Sequence, residues 1–358
     1  MRVAIIGTGL IGGSLGLALR ARGHHVVAFD LDPDRLERAA AIGAVDVTAE
    51  DPSVAVADCD LAVIATPVGR VGASALAALD AGAPVVTDVG SVKAPVVAEV
   101  SVHGRADRFV GGHPMAGSEQ DGLDGADADL FLGATWVLTP VAGTDPDAHA
   151  AVRTLATAVG AEVVEIAPAE HDALVAVVSH VPQLAATTLM DVAAAGADGS
   201  ALLLRLAAGG FRDMTRIAAS HPAIWPDICA ANREAIVDAL DRYVDALGAV
   251  RRMVDTGARE DLLALLERAR GARRGLPASA ASAGPLVELR IPVPDRPGVL
   301  AEVTTLAGSL GVNIADLEIN HSIEGTSGLL VLIIGAARSE ALVDALVDAG
   351  FHPVRSEL

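Results

Sequence analysis

Between Arg2 and Ile166 the sequence alternates short β-branched runs (VAIIG, VVAFD, LAVIATP, PVVTDVG, FVGG, TWVLTP, EVVEI) with Ala-rich stretches of helical length. Runs that are apolar at every position belong to strands buried on both faces, and helix-length connections make neighbouring strands parallel, through right-handed crossovers. The pattern predicts an α/β domain over residues 1–167, a mostly parallel sheet with helices on both sides.

After Pro168 the strand signals stop. Three helical patterns follow, Ala169–Ala195, Ala201–Ser220 and Trp225 to about Arg270, and predict an all-helical second domain over residues 168–272. The segment GARRGLPASAASAGP, residues 271–285, has no apolar period and places a linker at residues 273–285. Beyond it LVELRIPV, a helix from about Gly298 to Leu310, VNIADLEINHS, GLLVLIIG, a helix from about Ser339 to Ala349 and FHPVRSEL give the order βαββαβ. That order predicts a ferredoxin-like sandwich over residues 286–358, a size that often dimerises.

Composition narrows the partners. The chain carries 26 Lys plus Arg against 46 Asp plus Glu, a formal charge of −20, which disfavours nucleic acid and anionic membrane surfaces. Cys59 and Cys229 are too few for a disulfide framework or a four-thiolate zinc site. No metal is implied, and the scarcity of thiols suits a reducing cytoplasm. Mean hydropathy is high, +0.46, yet the longest uncharged stretch, 173–190, includes Ser179, His180, Pro182, Gln183, Thr187 and Thr188. It reads as a buried interface helix rather than a membrane span. The glycine-spaced amino terminus reads as mature protein rather than as a signal peptide.

Gly7-Thr8-Gly9-Leu10-Ile11-Gly12 follows one predicted strand and opens a helix. In that context Gly7 permits the turn, Gly9 lets backbone approach a pyrophosphate, and Gly12 lets helix and strand pack, which makes the first domain Rossmann-type. The next strand ends in Asp30, placed to bind the ribose hydroxyls of NAD and to repel a 2′-phosphate. NAD is therefore favoured over NADP; Arg35 reads either as a 2′-phosphate contact or as a solvated helix charge. Thr66 and Pro67, and the DVGSVK loop with Ser91, fall at the carboxyl edge of the sheet and should line the cofactor cleft. Thr66 reads equally as a turn residue or a nicotinamide contact, and Ser91 equally as an N-cap.

GGHPMAGSE places His113 in a glycine-flanked loop after a strand. Alcohol oxidation needs a base for the hydroxyl proton as hydride leaves, and a neutral imidazole suits that task. In the helical domain, positions 172, 176, 179, 180 and 183 share one helix face, with His171 at its edge. Arg212 and Arg216, beside Asp213, stand at i and i+4, a spacing that fits either a carboxylate clamp or a surface ion-pair pattern.

The set GTGLIGGSLGLAL, ATPV, DVGSVK, GGHPMAGSE, HDALVAVVSHVPQ, GGFRDMTRIA and Trp225 resembles prephenate dehydrogenase and its relative arogenate dehydrogenase, over essentially residues 1–270. The tail, with Asp295-Arg296-Pro297-Gly298-Val299-Leu300 and Gly311-Val312-Asn313-Ile314, resembles an ACT domain. The resemblance implies NAD-dependent oxidative decarboxylation of prephenate to 4-hydroxyphenylpyruvate in tyrosine biosynthesis, in a cytoplasmic homodimer. Residue by residue, it implies His113 as acceptor at the ring hydroxyl and Ser91 as the group orienting that hydroxyl. Arg216 is implied to hold the substrate carboxylate, with Arg212 and Asp213 in a gating cluster, Ser179 and His171 as supports and Trp225 shaping the pocket. Gln183 departs from the pattern, because some members have a histidine there; glutamine cannot titrate, so prephenate or arogenate stays open as substrate. His180 reads as a structural histidine or as a ligand. In the tail Asp295, Gly298 and Asn313 are implied contacts for a feedback effector, tyrosine, unless the module only dimerises.

Two other classes compete. A β-hydroxyacid dehydrogenase would carry a catalytic lysine in its helical domain, whereas the sole lysine, Lys93, lies in the DVGSVK loop. A non-catalytic NAD-sensing regulator would bind cofactor without turnover.

Overall fold

Along the first strand, Arg2–Ile6 (β1), Val3 and Ile5 enter one apolar cluster while Ala4 and Ile6 enter another on the opposite side. That is the both-faces burial expected of a continuous apolar run. The computed structural model describes residues 1–118, 120, 122–197, 206–274, 286–294, 296–321 and 327–357. It divides into two compact units, Met1–Leu247 and Gly248–Leu358, with the border inside helix Arg233–Thr256.

In the first unit, helix α1 (Leu10–Ala21) leads to β2 (His25–Phe29), and α2 (Pro33–Ala41) to β3 (Val47–Thr48). After α3 (Pro52–Val56) come β4 (Leu61–Ile64), α4 (Val71–Asp80), β5 (Val86–Asp88), α5 (Ala94–Val102) and β6 (Phe109–Pro114). Strand β7 (Thr135–Thr139), α6 (Pro146–Ala158) and β8 (Glu162–Glu165) complete an eight-stranded sheet in the order β3-β2-β1-β4-β5-β6-β7-β8. Only the β6–β7 pair is antiparallel. The seven anticipated strands are present; β3 is an addition, too short at two residues to give a period.

The helical part begins with α7 (Pro168–Val175), which runs through a π-turn, Ala176–His180, into α8 (Val181–Ala197). By length and apolarity the stretch Pro168–Ala195 could cross a membrane. One side of it, with His171, Asp172, His180 and Gln183, is buried in the unit, while Leu174, Val177, Val178 and Val192 are exposed. Of the second helical pattern, 201–205 lies outside the described residues, and the rest forms a short helix, Gly209–Thr215, and a 3-10 turn, Arg216–Ala219. The long helix expected from Trp225 to about Arg270 is corrected to three: Trp225–Ala231, Arg233–Thr256 and Arg259–Arg274. The first break spends the Asn232 side chain on distant partners, and the second falls at Gly257, whose φ of +66° no helix continues through.

In the second unit β9 (Leu286–Pro294), helix Val299–Ser309, β10 (Ile314–His321), β11 (Ser327–Gly335), helix Ser339–Asp348 and β12 (Val354–Glu357) follow the anticipated βαββαβ order. The sheet is antiparallel, β10-β11-β9-β12. Alternate residues of β9, Val287, Leu289, Ile291 and Val293, pack with Val303 and Leu342 from the two helices.

Candidate active site

The turn between β1 and α1 has the shape of an anion cradle. Gly7 sits at φ +102°, and a Cβ on Gly12 would lie 2.0 Å from the Gly7 carbonyl oxygen, so both positions exclude a side chain. Beside Gly9, by contrast, nothing lies within 4 Å of where a Cβ would stand. Helices α2 and α6 are capped by Asp32 and Asp145, whereas α1 starts with no side-chain cap and no acid in its first turn. Its first amides, and the positive end of its dipole, are left for a ligand. Buried Asp30 accepts the Thr8 N–H at 2.7 Å and the Thr8 hydroxyl at 3.0 Å, which ties the glycine turn to the end of β2. Arg35 donates to Asp30 at 3.2 Å and pairs with Asp32 at 3.3 Å, so its guanidinium is engaged by carboxylates. Across the cleft edge, the Thr66 hydroxyl is buried with no hydrogen-bond partner among the described residues, the state of a group that completes its bonding with a ligand. Pro67 is exposed beside it.

The end of β6 carries the chemistry. His113 Nδ1 lies 2.8 Å from His171 Nε2, and His171 Nδ1 lies 2.8 Å from Asp172 Oδ1. An ionised carboxylate only accepts, so His171 Nδ1 holds a proton and its Nε2 holds a lone pair. His113 must then donate from Nδ1, which leaves its own Nε2 as an unprotonated acceptor. Burial pushes the His113 imidazole well below its ordinary pKa, and Lys93, His171 and His180 act in the same direction. The ring is thus a neutral base with part of its edge accessible.

Asp172 does more than orient His171. Its two oxygens accept the N–H groups of Lys93 and Ala94, each at 2.8 Å, and so cap α5 from across the helical region. The loop between β5 and α5, which bears half-buried Ser91, is also held by Asp88, which accepts the Gly90 N–H at 2.9 Å. Lys93 is fully buried and paired with Asp88.

From the helical region, Asn232 donates to the Asp172 carbonyl at 2.9 Å and to His180 Nδ1 at 3.2 Å. His180 therefore carries its proton on Nε2, which is buried and has no partner among the described residues. Burial pushes its pKa down to about 4, so this ring too is neutral. Trp225 packs edge-on against it, with centroids 6.1 Å apart. Gln183 is buried and donates to the Thr187 hydroxyl at 3.4 Å, and Ser179 is half-buried on the π-turn. Arg212, Asp213 and Arg216 are exposed on the following helix and turn, where Arg212 donates to the Ala207 carbonyl at 3.3 Å.

Residues 15–165 match the family model for the prephenate dehydrogenase nucleotide-binding domain, and residues 167–268 match the model for its dimerization domain. The chain belongs to the prephenate dehydrogenase family. It is 34% identical over 336 residues to prephenate dehydrogenase of Bacillus subtilis (strain 168), spanning 92% of this chain and 90% of that one. A solved prephenate dehydrogenase from A. aeolicus, in complex with hydroxyphenyl propionate and NAD+, superposes with a TM-score of 0.72 at 30% identity, over 77% of this chain and 98% of its own. The arogenate dehydrogenase of Synechocystis does so with a TM-score of 0.67 at 30% identity, over 76% and 99%.

This member of the prephenate dehydrogenase family is an NAD-dependent oxidoreductase. Its residues fit that cofactor: the open flank of Gly9, the uncapped start of α1, Asp30 and the unpartnered Thr66 hydroxyl are the groups that would hold it. Sequence reasoning missed the parts played by Asp88, Asp172 and Asn232. An acid five residues before the lone lysine was the available signal for Asp88, and only in outline; the other two act only through the fold.

In the second unit a cavity of about 310 Å³ is lined by Arg296, Gly298, Leu300, Ile319 and Leu330, among others. Gly298 has φ +90° and opens its helix without a side-chain cap, and Arg296 forms a two-pronged pair with Glu302 at 2.7 and 2.8 Å. Asn313 is exposed beyond that helix, and Asp295 lies outside the described residues.

Proposed function

We propose that the enzyme converts prephenate to 4-hydroxyphenylpyruvate by oxidative decarboxylation, in the cytoplasm, as a step of tyrosine biosynthesis. One observation carries this reading: the Asp172–His171–His113 chain leaves His113 Nε2 as a neutral acceptor. His113 takes the ring hydroxyl proton, and Ser91 orients that hydroxyl. NAD, when bound, supplies the hydride acceptor. Loss of the ring carboxylate as carbon dioxide then makes the product aromatic. Arg216 holds a substrate carboxylate, with Arg212 and Asp213 beside it, while Trp225, Ser179, Gln183 and the Nε2–H of His180 shape and bond the rest of the pocket.

Arogenate is the second reading, favoured by the likeness to the Synechocystis enzyme and by Gln183, whose uncharged amide faces the choice between a pyruvyl and an alanyl side chain. Following NADH and NADPH formation with prephenate and arogenate in all four combinations decides both substrate and cofactor. Preference for arogenate would overturn the first reading, and no turnover with either would overturn both.

The enzyme is proposed to act as a homodimer. Leu174, Val177, Val178 and Val192 lie on the exposed side of α7–α8 within the region matching a dimerization domain, and a second copy would remove that apolar side from water. Light scattering that gave a monomer mass at micromolar protein would refute this. The second unit is proposed to be an ACT-like, ferredoxin-like module that takes tyrosine at the Gly298 cavity, with Asp295 and Asn313 as further contacts. If tyrosine leaves the activity of the full chain unchanged, that role is lost.

A further inference from the structure

The chain has 26 basic residues, and one of them, Lys93, is a lysine; all the others are arginine. That single lysine is fully buried. Its ammonium pairs with Asp88 and donates to the Gly112 carbonyl at 2.7 Å. Asp88 also accepts the Gly112 N–H at 3.1 Å, so both backbone polar groups of Gly112, the residue before His113, are bonded to this pair. From its other end, Lys93 donates its backbone N–H to Asp172. Asp172 holds His171, and His171 holds the His113 ring. The path closes on itself: His113, His171, Asp172, Lys93, Gly112 and back to His113 through a peptide bond.

We propose that Lys93 is a positioning residue for the reaction, the member that closes this ring and so fixes His113 at both its backbone and its imidazole. The inference rests on His113 being the proton acceptor. Two facts argue that the role is not packing alone. An ion pair removed from water gains little net stability, and an apolar pair of the same volume would fill the space as well. Lysine also differs from arginine as a compact point charge on a flexible stem, and it is the one departure from arginine among the chain's basic residues.

The ring has an electrostatic side. The charged and titratable groups facing His113 are Lys93 and Asp88 from the β5–α5 region, His171 and Asp172 from α7, and His180 from the π-turn. Burial lowers the Lys93 pKa while Asp88 and Asp172 favour its charged form, and that charge opposes a second positive charge on the imidazole. Held cation and held acceptor thus work together: the geometry aims Nε2 while the charge keeps it unprotonated.

The test is the variant Lys93→Gln, whose amide is a hydrogen-bond donor without a charge. In the full-length protein, the His113 titration is followed by NMR of the labelled imidazole, beside the pH profile of kcat. The expected result is a His113 midpoint higher by about one pH unit and a kcat lower by roughly ten- to a hundredfold, with NAD affinity retained. An unchanged midpoint and kcat in a folded variant would overturn the proposal. If Lys93→Gln does not fold, Lys93→Gln with Asp88→Asn leaves no charge at this pair and is read the same way, its midpoint expected to rise by less. Because the NMR midpoint needs no substrate, it decides the role of Lys93 even if the wild-type enzyme turns over neither cyclohexadienyl acid, a result that would count against the functional reading instead.

Discussion

His113 and His171 share one proton across a 2.8 Å contact, and the carboxylate behind His171 dictates which of them donates it. His113→Asn keeps a polar side chain at the site and removes the base. It should lower kcat by about 10²- to 10⁴-fold while NAD binding, followed by fluorescence titration, stays intact. A near-normal kcat would remove His113 from the chemistry.

Two buried neutral histidines also set the acid limit of stability. The folded pKa of His113 lies well below 6.5 and that of His180 near 4, whereas in the unfolded chain each sits near its ordinary value. The unfolded state therefore binds more protons in that interval, so stability should fall as pH drops from about 6.5 toward 4. Melting temperatures across that range check it. His180→Phe should shallow the fall, and an equal slope in the variant would show that His180 contributes nothing to it.

Gly9→Ala and Gly12→Ala should separate binding from folding. The first meets open space and should leave the melting temperature near wild type while weakening NAD binding; the second puts a methyl 2.0 Å from the Gly7 oxygen and should destabilise the fold itself. Loss of stability in both variants would contradict the reading of Gly9 as the open wall of the cofactor cradle.

Asn232 satisfies two buried groups with its two N–H bonds. Asn232→Leu leaves His180 Nδ1 unpaired and removes one of two donors from the Asp172 carbonyl, which keeps the Ala176 N–H, at a cost of about 1–3 kcal/mol. Denaturant unfolding measures this, and a change below ~1 kcal/mol would mean that water replaces the amide.

Arg216→Ala tests the proposed carboxylate contact. Loss of a charge-assisted bond should raise KM for the substrate about ten- to a hundredfold, with a smaller effect on kcat. An unchanged KM would take Arg216 out of the pocket.

What could be read from the sequence was what is local. A strand buried on both faces and a glycine turn write themselves into a few consecutive residues, so β1, its turn and α1 were legible, as was the βαββαβ order of the tail. His113 was legible because glycines flank it. Of its supports, His171 was implied by the resemblance alone, and the rest were not legible: Asp172 meets the Lys93 amide across 79 residues and Asn232 across 60, and no period in the chain encodes a pairing at that distance. The same reason hid the helix break at Asn232, which has no glycine or proline to mark it. Lys93 was visible only as an argument against another enzyme class, since a lysine in a loop gives no sign that it is buried.

That burial has a practical side. A protein whose one side-chain amine is sealed in its core offers, while folded, no lysine to acylating and cross-linking reagents. Modification at position 93 would then count only molecules whose interior has opened, which makes ordinary amine chemistry a reporter of local unfolding at the active site.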